Sequence, residues 1–281
     1  MKKTLIAAAA LAFGSTGVAH AQSFQKMIFG PLSIDARLAA ESEYVYRGKE
    51  HSDFNLQSRL NLEYALPTTG VGTAITADVF SMNPIEELAN QLDVSLGAKV
   101  VYNDFLFRAR WVYHTFPNQN RLSDLPSGGE QYVSANRPVY NRSNELYLGV
   151  GSQIQDSGVW IEGGVYYDIN CSQLTYELNL GRDFTFRAIP NFMLSLSGFA
   201  GYVNATAYNG DQRGESVGKW RNDYAYLGAS ADISYRVNEF SSLGVGIRYA
   251  WNNDGNGNDT PNLEGNTRSN VWWGFWAKFS Y

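Results

Sequence analysis

Cysteine is almost missing from this chain of 281 residues: Cys171 stands alone, so no internal disulfide can form and stability must come from hydrogen bonds and packing. Long apolar runs are missing too. After residue 21 no segment approaches the 18 consecutive apolar residues of a membrane-spanning helix, which excludes an ordinary helical membrane protein. Positive charge is in deficit, with 22 Lys and Arg against 27 Asp and Glu, and an acidic chain is a poor partner for nucleic acid. Histidine is scarce as well, at three residues, which leaves little material for metal binding or acid–base chemistry. What the chain has instead is glycine, 27 of them, and aromatic rings at 14% of residues, with a mean hydropathy of −0.30. A chain polar on average and rich in rings is common among outer-membrane barrels and rare among helical proteins.

The first 21 residues carry the marks of a secretory signal peptide. Lys2 and Lys3 supply the basic start, residues 5–13 an apolar run, and Ala19-His20-Ala21 a small-x-small cleavage site before Gln22. The sequence therefore divides into residues 1–21, a cleaved leader, and residues 22–281, the mature domain. With Lys2 and Lys3 gone, 20 basic residues face 27 acidic ones, a formal charge of −7.

Period two organises the mature chain. Phe54, Leu56, Leu60, Leu62, Tyr64 and Leu66 share one parity; Asn55, Gln57, Arg59, Asn61 and Glu63 share the other. Such alternation marks a strand with one apolar and one polar face. It recurs in twelve segments: 33–47, 54–66, 73–82, 91–102, 105–116, 144–154, 159–168, 174–184, 192–202, 224–235, 241–251 and 270–281. All eight prolines fall between these segments, as expected where a central strand cannot spare a backbone N–H. The connections on one side are short and those on the other mostly long. This predicts an all-β, twelve-stranded antiparallel transmembrane barrel with both termini periplasmic.

Alternation alone does not say which face is inside. Three features predict an inverted barrel, apolar outward. Strands of mostly ten to thirteen residues suit a tilted bilayer crossing. The apolar parity is nearly free of charge, as in Leu92, Val94, Leu96, Ala98 and Val100, with Arg182 near a short turn as the clear exception. Rings also gather at both strand ends, including Tyr44, Tyr46, Phe54, Tyr113, Phe116, Tyr167, Tyr202 and Trp251 beside the longer loops. Tyr64, Tyr102, Phe105, Phe184, Phe192, Tyr235, Phe279 and Tyr281 lie beside the short turns, so two interfacial girdles are expected. Residues 271–281 hold six aromatics in eleven positions, with Val271, Trp273, Phe275, Phe279 and Tyr281 in the lipid-facing parity and Trp272, Gly274, Trp276 and Lys278 inward. An ending of this kind looks like the signal by which the barrel assembly machinery recognises its clients, carried here by Gly274, Phe279 and Tyr281.

Several motifs occur in a telling order: Glu43-Tyr44-Val45-Tyr46-Arg47-Gly48 followed by Ser52-Asp53, then Asn90-Gln91-Leu92-Asp93, then Tyr113-His114-Thr115-Phe116-Pro117. Asn144-Glu145-Leu146-Tyr147-Leu148-Gly149 and Tyr176-Glu177-Leu178-Asn179-Leu180-Gly181 complete the series. Over residues 40–184 the chain resembles the TorF-like porin family (Gcw_chp), with Glu43 in place of the usual Asp, Gln91 in place of Glu and Phe116 in place of Tyr. The resemblance implies a bacterial outer-membrane barrel and a pore, with no defined substrate.

What such a pore passes depends on the inward parity, which carries eleven acidic and eight basic residues. The candidate selectivity residues are Arg37, Arg47, Arg59, Lys99, Arg108, Arg110, Glu145, Glu162, Glu177 and Arg248. Lys99, Arg108 and Arg110 precede Glu145, Glu162 and Glu177 along the wall, an order that would set a transverse field orienting small polar solutes. The alternative is that these charges pair with one another and fill a narrow interior.

Enzyme chemistry finds little support. His51-Ser52-Asp53 has the residue types of a triad, but contiguous residues in a short loop do not give triad geometry, and His114 reads as a solvated residue near the outer rim. The loop 252–259 has oxygen ligands and a glycine at calcium-loop spacing, yet Leu263 stands at position 12, so neither metal nor cofactor is expected. Loops 117–143 and 203–223 mix aromatic with basic residues, which suits either a fold over the lumen or recognition of lipopolysaccharide or another partner. The expected function is passive diffusion of small hydrophilic solutes through an outer-membrane porin. A plugged structural or receptor barrel is the alternative.

Overall fold

The computed structural model describes residues 32–47, 49–85, 90–115, 142–154, 157–169, 173–205, 223–253 and 269–281. The leader, the assembly of residues 117–141 and 206–222, Phe116 and most of the calcium-like loop lie outside the described residues. Within them the chain is all-β. Twelve long strands form the wall: β1 (Leu32–Glu41), β4 (Asn55–Leu66), β5 (Gly72–Pro84), β6 (Gln91–Tyr102), β7 (Phe105–Thr115) and β8 (Arg142–Ile154), followed by β9 (Val159–Asp168), β10 (Gln173–Thr185), β11 (Phe192–Ala205), β12 (Tyr224–Arg236), β13 (Ser241–Asn252) and β14 (Ser269–Ser280). Each pairs antiparallel with its neighbours, and β1 pairs with both β4 and β14 to close the ring. The seam is fastened at one end by reciprocal backbone bonds between Ile34 and Tyr281, both 2.8 Å. Closure leaves none of the twelve wall strands with a free edge, as hydrocarbon surroundings require.

A two-residue turn, Asn103-Asp104, joins β6 to β7. Asn103 has φ 52°, a left-handed conformation that asparagine tolerates better than most residues, and this allows a two-residue connection that keeps Tyr102 paired with Phe105.

The parity expected from the sequence is the parity observed. Leu56 is 50% exposed and Leu96 54%, whereas Asp93 is 4% exposed and Glu162 3%. The apolar face therefore looks outward all round the ring and the charged face looks into the lumen. Arg182 lies on the outer face near the short-turn end, its guanidinium 4.7 Å from the centre of the Phe184 ring. Proline behaves nearly as expected among the described residues, except that β5 runs on to Pro84, its last residue.

One segment departs from expectation. Residues 33–47 are not one strand: β1 stops at Glu41, and a short hairpin, β2 (Tyr44–Tyr46) and β3 (Lys49–Ser52), follows. Pairing with β14 ends where the Ser42 N–H donates to the Trp273 carbonyl at 2.9 Å. Tyr44, Val45 and Tyr46 are apolar at both parities, so they have no polar face to turn toward a wet lumen. Tyr44 and Val45 are buried instead and Tyr46 is half-buried beneath Arg47, which removes Tyr44 and Tyr46 from the lipid girdle assigned to them. Tyr44 stacks with Phe80 of β5 at 6.1 Å, and Val45 is fully enclosed against Ala250 of β13 and Trp272 of β14.

Candidate functional site: the barrel lumen

The inward charges are arranged in pairs. The Arg59 Nε donates to Asp78 at 2.6 Å across β4 and β5, and the Lys99 Nζ reaches past β5 to Glu63 at 2.8 Å. Arg108 reaches past β8 to both carboxylate oxygens of Glu162, at 2.8 and 2.7 Å. Arg248 donates to Asp232 at 3.0 Å and lies 3.7 Å from Glu41, which also accepts the Trp272 indole N–H at 3.2 Å. Glu177 accepts from the Tyr226 hydroxyl at 2.6 Å and from Asn179 at 2.9 Å. The basic and acidic groups that would set a transverse field are thus largely neutralised locally: Lys99 turns back to Glu63 and Arg108 forward to Glu162.

Cations also meet in register. Lys278, Arg37 and Arg59 are directly opposed across β14, β1 and β4. Like charges facing one another on a sheet repel. The repulsion is offset because each is drawn to its own carboxylate: Lys278 to Asp35 at 3.1 Å, Arg59 to Asp78, and Arg37 more loosely to Glu41 at 3.9 Å. The Arg37 guanidinium rests over the Trp276 ring at 5.5 Å.

Inward aromatic rings lie flat against the wall, because glycines on or beside them leave the room. A Cβ on Gly164 would fall 2.4 Å from the Tyr147 ring, one on Gly181 2.5 Å from Trp160, one on Gly201 2.2 Å from Tyr226, and one on Gly244 2.3 Å from Trp276. Each ring occupies the space where a neighbour's side chain would begin. Tyr147, Tyr166, Tyr226 and Trp160 did not stand out as site residues in the sequence, although each shares the parity of the lumen charges. A ring on the charged parity, with glycine on the facing strand, is the signal that would have found them.

The hairpin crosses this interior. It leaves the wall at β1, and in the ring of twelve strands β9 is six places away, directly opposite. There Arg47 meets the wall: its guanidinium donates to Glu145 of β8 at 2.6 Å and lies over the Tyr166 ring of β9 at 4.9 Å and its own neighbour Tyr46 at 4.7 Å. Arg47 therefore does not line the wall as its parity predicted. It is the tip of a bar across the lumen. Its φ of 50° costs about 1 to 2 kcal/mol, a strain the contacts at the tip hold in place. Burial by itself disfavours the charge, but Glu145 outweighs it and holds the guanidinium well above its ordinary value, firmly cationic.

His114 of β7 is buried rather than solvated. Its Nδ1 lies 2.9 Å from Asp93 and its Nε2 3.9 Å from Glu145, so it bridges two carboxylates beside the Arg47 contact. The hairpin covers the region that the sequence left open to water. Of the proposed assembly signal, Phe279 and Tyr281 stack on the outer face with centroids 6.3 Å apart, and Gly274 faces Glu41 across the seam.

No family model matches this chain, and no curated protein does either, so the likeness to the TorF-like porins rests on the motifs alone. Solved structures do match in fold. An outer membrane channel from Pseudomonas putida F1 superimposes with a TM-score of 0.53 at 10% identity, covering 92% of this chain and 99% of that one. A KdgM porin gives 0.46 at 12% identity over 89% and 99%, and a NanC porin 0.46 at 11% over 88% and 98%. The fold is that of an outer-membrane β-barrel.

Proposed function

We propose that this protein is a narrow channel of the bacterial outer membrane that passes small hydrophilic solutes by diffusion. The observation that carries the reading is a closed ring, apolar outside, whose interior is lined by charges and by rings laid flat over glycine. Across that interior the β2–β3 hairpin brings Arg47 from the β1 side to Glu145 of β8 and Tyr166 of β9. The fold shared with an outer membrane channel supports the same reading at the level of architecture. Delivery by the leader, assembly through Gly274, Phe279 and Tyr281, a surrounding of lipid and lipopolysaccharide, and periplasmic termini all belong to this proposal. Selectivity would rest on Arg37, Arg59, Lys99, Arg108, Arg110, Glu162, Glu177 and Arg248 on the wall, with Arg47 and Glu145 at the bar. No enzymatic role is proposed.

Single-channel recording in planar bilayers tests this. The wild-type protein should give small steps, and replacing residues 44–52 with a short Gly-Ser turn should enlarge them several-fold. A second reading, a plugged barrel whose outer loops serve a partner, is favoured by the buried Arg47–Glu145 contact. Silence from both proteins would select that reading and remove the channel.

A further inference from the structure

The wall opposite β1 treats Arg47 as a receptor treats a ligand. A single carboxylate, Glu145, takes the guanidinium at 2.6 Å; the Tyr166 ring covers one side at 4.9 Å; Glu145 is 1% exposed and Tyr166 4%. Behind this first contact the arrangement continues. Tyr147 packs on Tyr166 at 4.6 Å, and on β12 the Tyr226 hydroxyl donates to Glu177 at 2.6 Å. On the wall beside this contact, Asp168 of β9 is paired in register with Glu145, His114 of β7 lies between Asp93 and Glu145, and Arg110 is stacked behind Tyr147 at 5.1 Å. Arg47 is the cation that the hairpin contributes to this acidic arc.

We infer that the Glu145 and Tyr166 pocket is a binding site for a small organic cation, a guanidinium or alkylammonium group carried by a solute, and that Arg47 is its built-in occupant. The chemistry selects that class. A delocalised, weakly hydrated cation gains from an aromatic face and from a hydrogen bond to a buried carboxylate. A calcium ion needs six to eight oxygen ligands and gains little from rings. A solute of this class competes with Arg47 for the same groups, and its binding frees the hairpin tip from the far wall. The site is therefore both a selectivity element and the latch of the bar. Apparent affinity in the wild type is the intrinsic affinity multiplied by the fraction of molecules in which Arg47 has left the site. The inference deepens the channel reading, since it names the solute class for the same lumen, but binding does not depend on conduction.

The test uses the full chain folded in detergent micelles, with methylguanidinium chloride as probe at constant ionic strength and calorimetric titration as readout. Arg47→Ala should bind methylguanidinium saturably and at least tenfold more tightly than the wild type. Adding Glu145→Gln should abolish the gain, and adding Tyr166→Leu should weaken it several-fold. Equal affinity in wild type and Arg47→Ala, or affinity untouched by Glu145→Gln, would overturn the inference. Should Arg47→Ala fail to fold, as judged by loss of the compact electrophoretic form, Arg47→Gln keeps the length of the side chain without its charge and carries the same expectations. A second measurement separates this site from the channel itself. Tight methylguanidinium binding in a barrel that never conducts removes the channel and keeps the site, whereas steps from Arg47→Ala with no methylguanidinium binding keep the channel and remove the site.

Discussion

At the level of single residues, the lumen is a set of buried ion pairs, and breaking one costs more than never having made it. Glu145→Gln leaves the Arg47 guanidinium enclosed without its carboxylate and should destabilise the folded barrel by about 3 to 5 kcal/mol in a denaturant titration. Replacing both, as Arg47→Met with Glu145→Leu, should restore much of that stability, because two apolar side chains need no partner. Residue-level reading from sequence located the inward charges correctly by parity alone: Arg59, Lys99, Arg108, Glu162 and Arg248 all face the lumen. It failed at Arg47 and His114. Parity describes a residue only while its strand stays in the sheet, and Arg47 has left the sheet. His114 is buried by what lies above it, which alternation along β7 cannot report.

At the level of elements, the strand boundaries were legible to within a few residues because proline, turn chemistry and period two agree there. β6 and β9 match their expected bounds at both ends, and β13 ends one residue later than expected. The hairpin was hidden because Tyr44-Val45-Tyr46 extends the β1 alternation on its even positions while also being apolar on the odd one. The pairing of glycine with rings on neighbouring strands is an element-scale device, since each ring needs an adjacent strand without a side chain. Gly164→Ala would set its Cβ 2.4 Å from the Tyr147 ring and should cost about 1 to 3 kcal/mol by overpacking. Combining it with Tyr147→Ala should remove the clash, so the double variant should show clear non-additivity in the same unfolding experiment.

At the level of the whole molecule, the fold was readable because a membrane barrel imposes one rule on every strand. Which face meets lipid was decided by where the charges are absent, and the structure follows that rule round the entire ring. A depth profile tests it: Leu96→Arg, halfway along β6 on the outer face, should destabilise the bilayer-embedded protein by about 2 to 4 kcal/mol, whereas Tyr102→Arg at the short-turn end should cost no more than about 1 kcal/mol. The narrowness of the function could not be read this way, because it is set by one short segment folding inward across a span that no local pattern encodes. The alternation of the last strand also gives the protein a pair of optical reporters. Trp273 emits from the acyl chains and Trp272 from the interior, one residue apart, with Trp111 and Trp251 on the same side as the former and Trp160 and Trp276 with the latter. In vesicles of brominated phospholipid, and with Trp220 changed to Phe, only the lipid-facing set should darken. An aqueous quencher such as acrylamide should dim the inner set more strongly once Arg47→Ala frees the bar, so fluorescence can follow the lumen's accessibility without any current being passed.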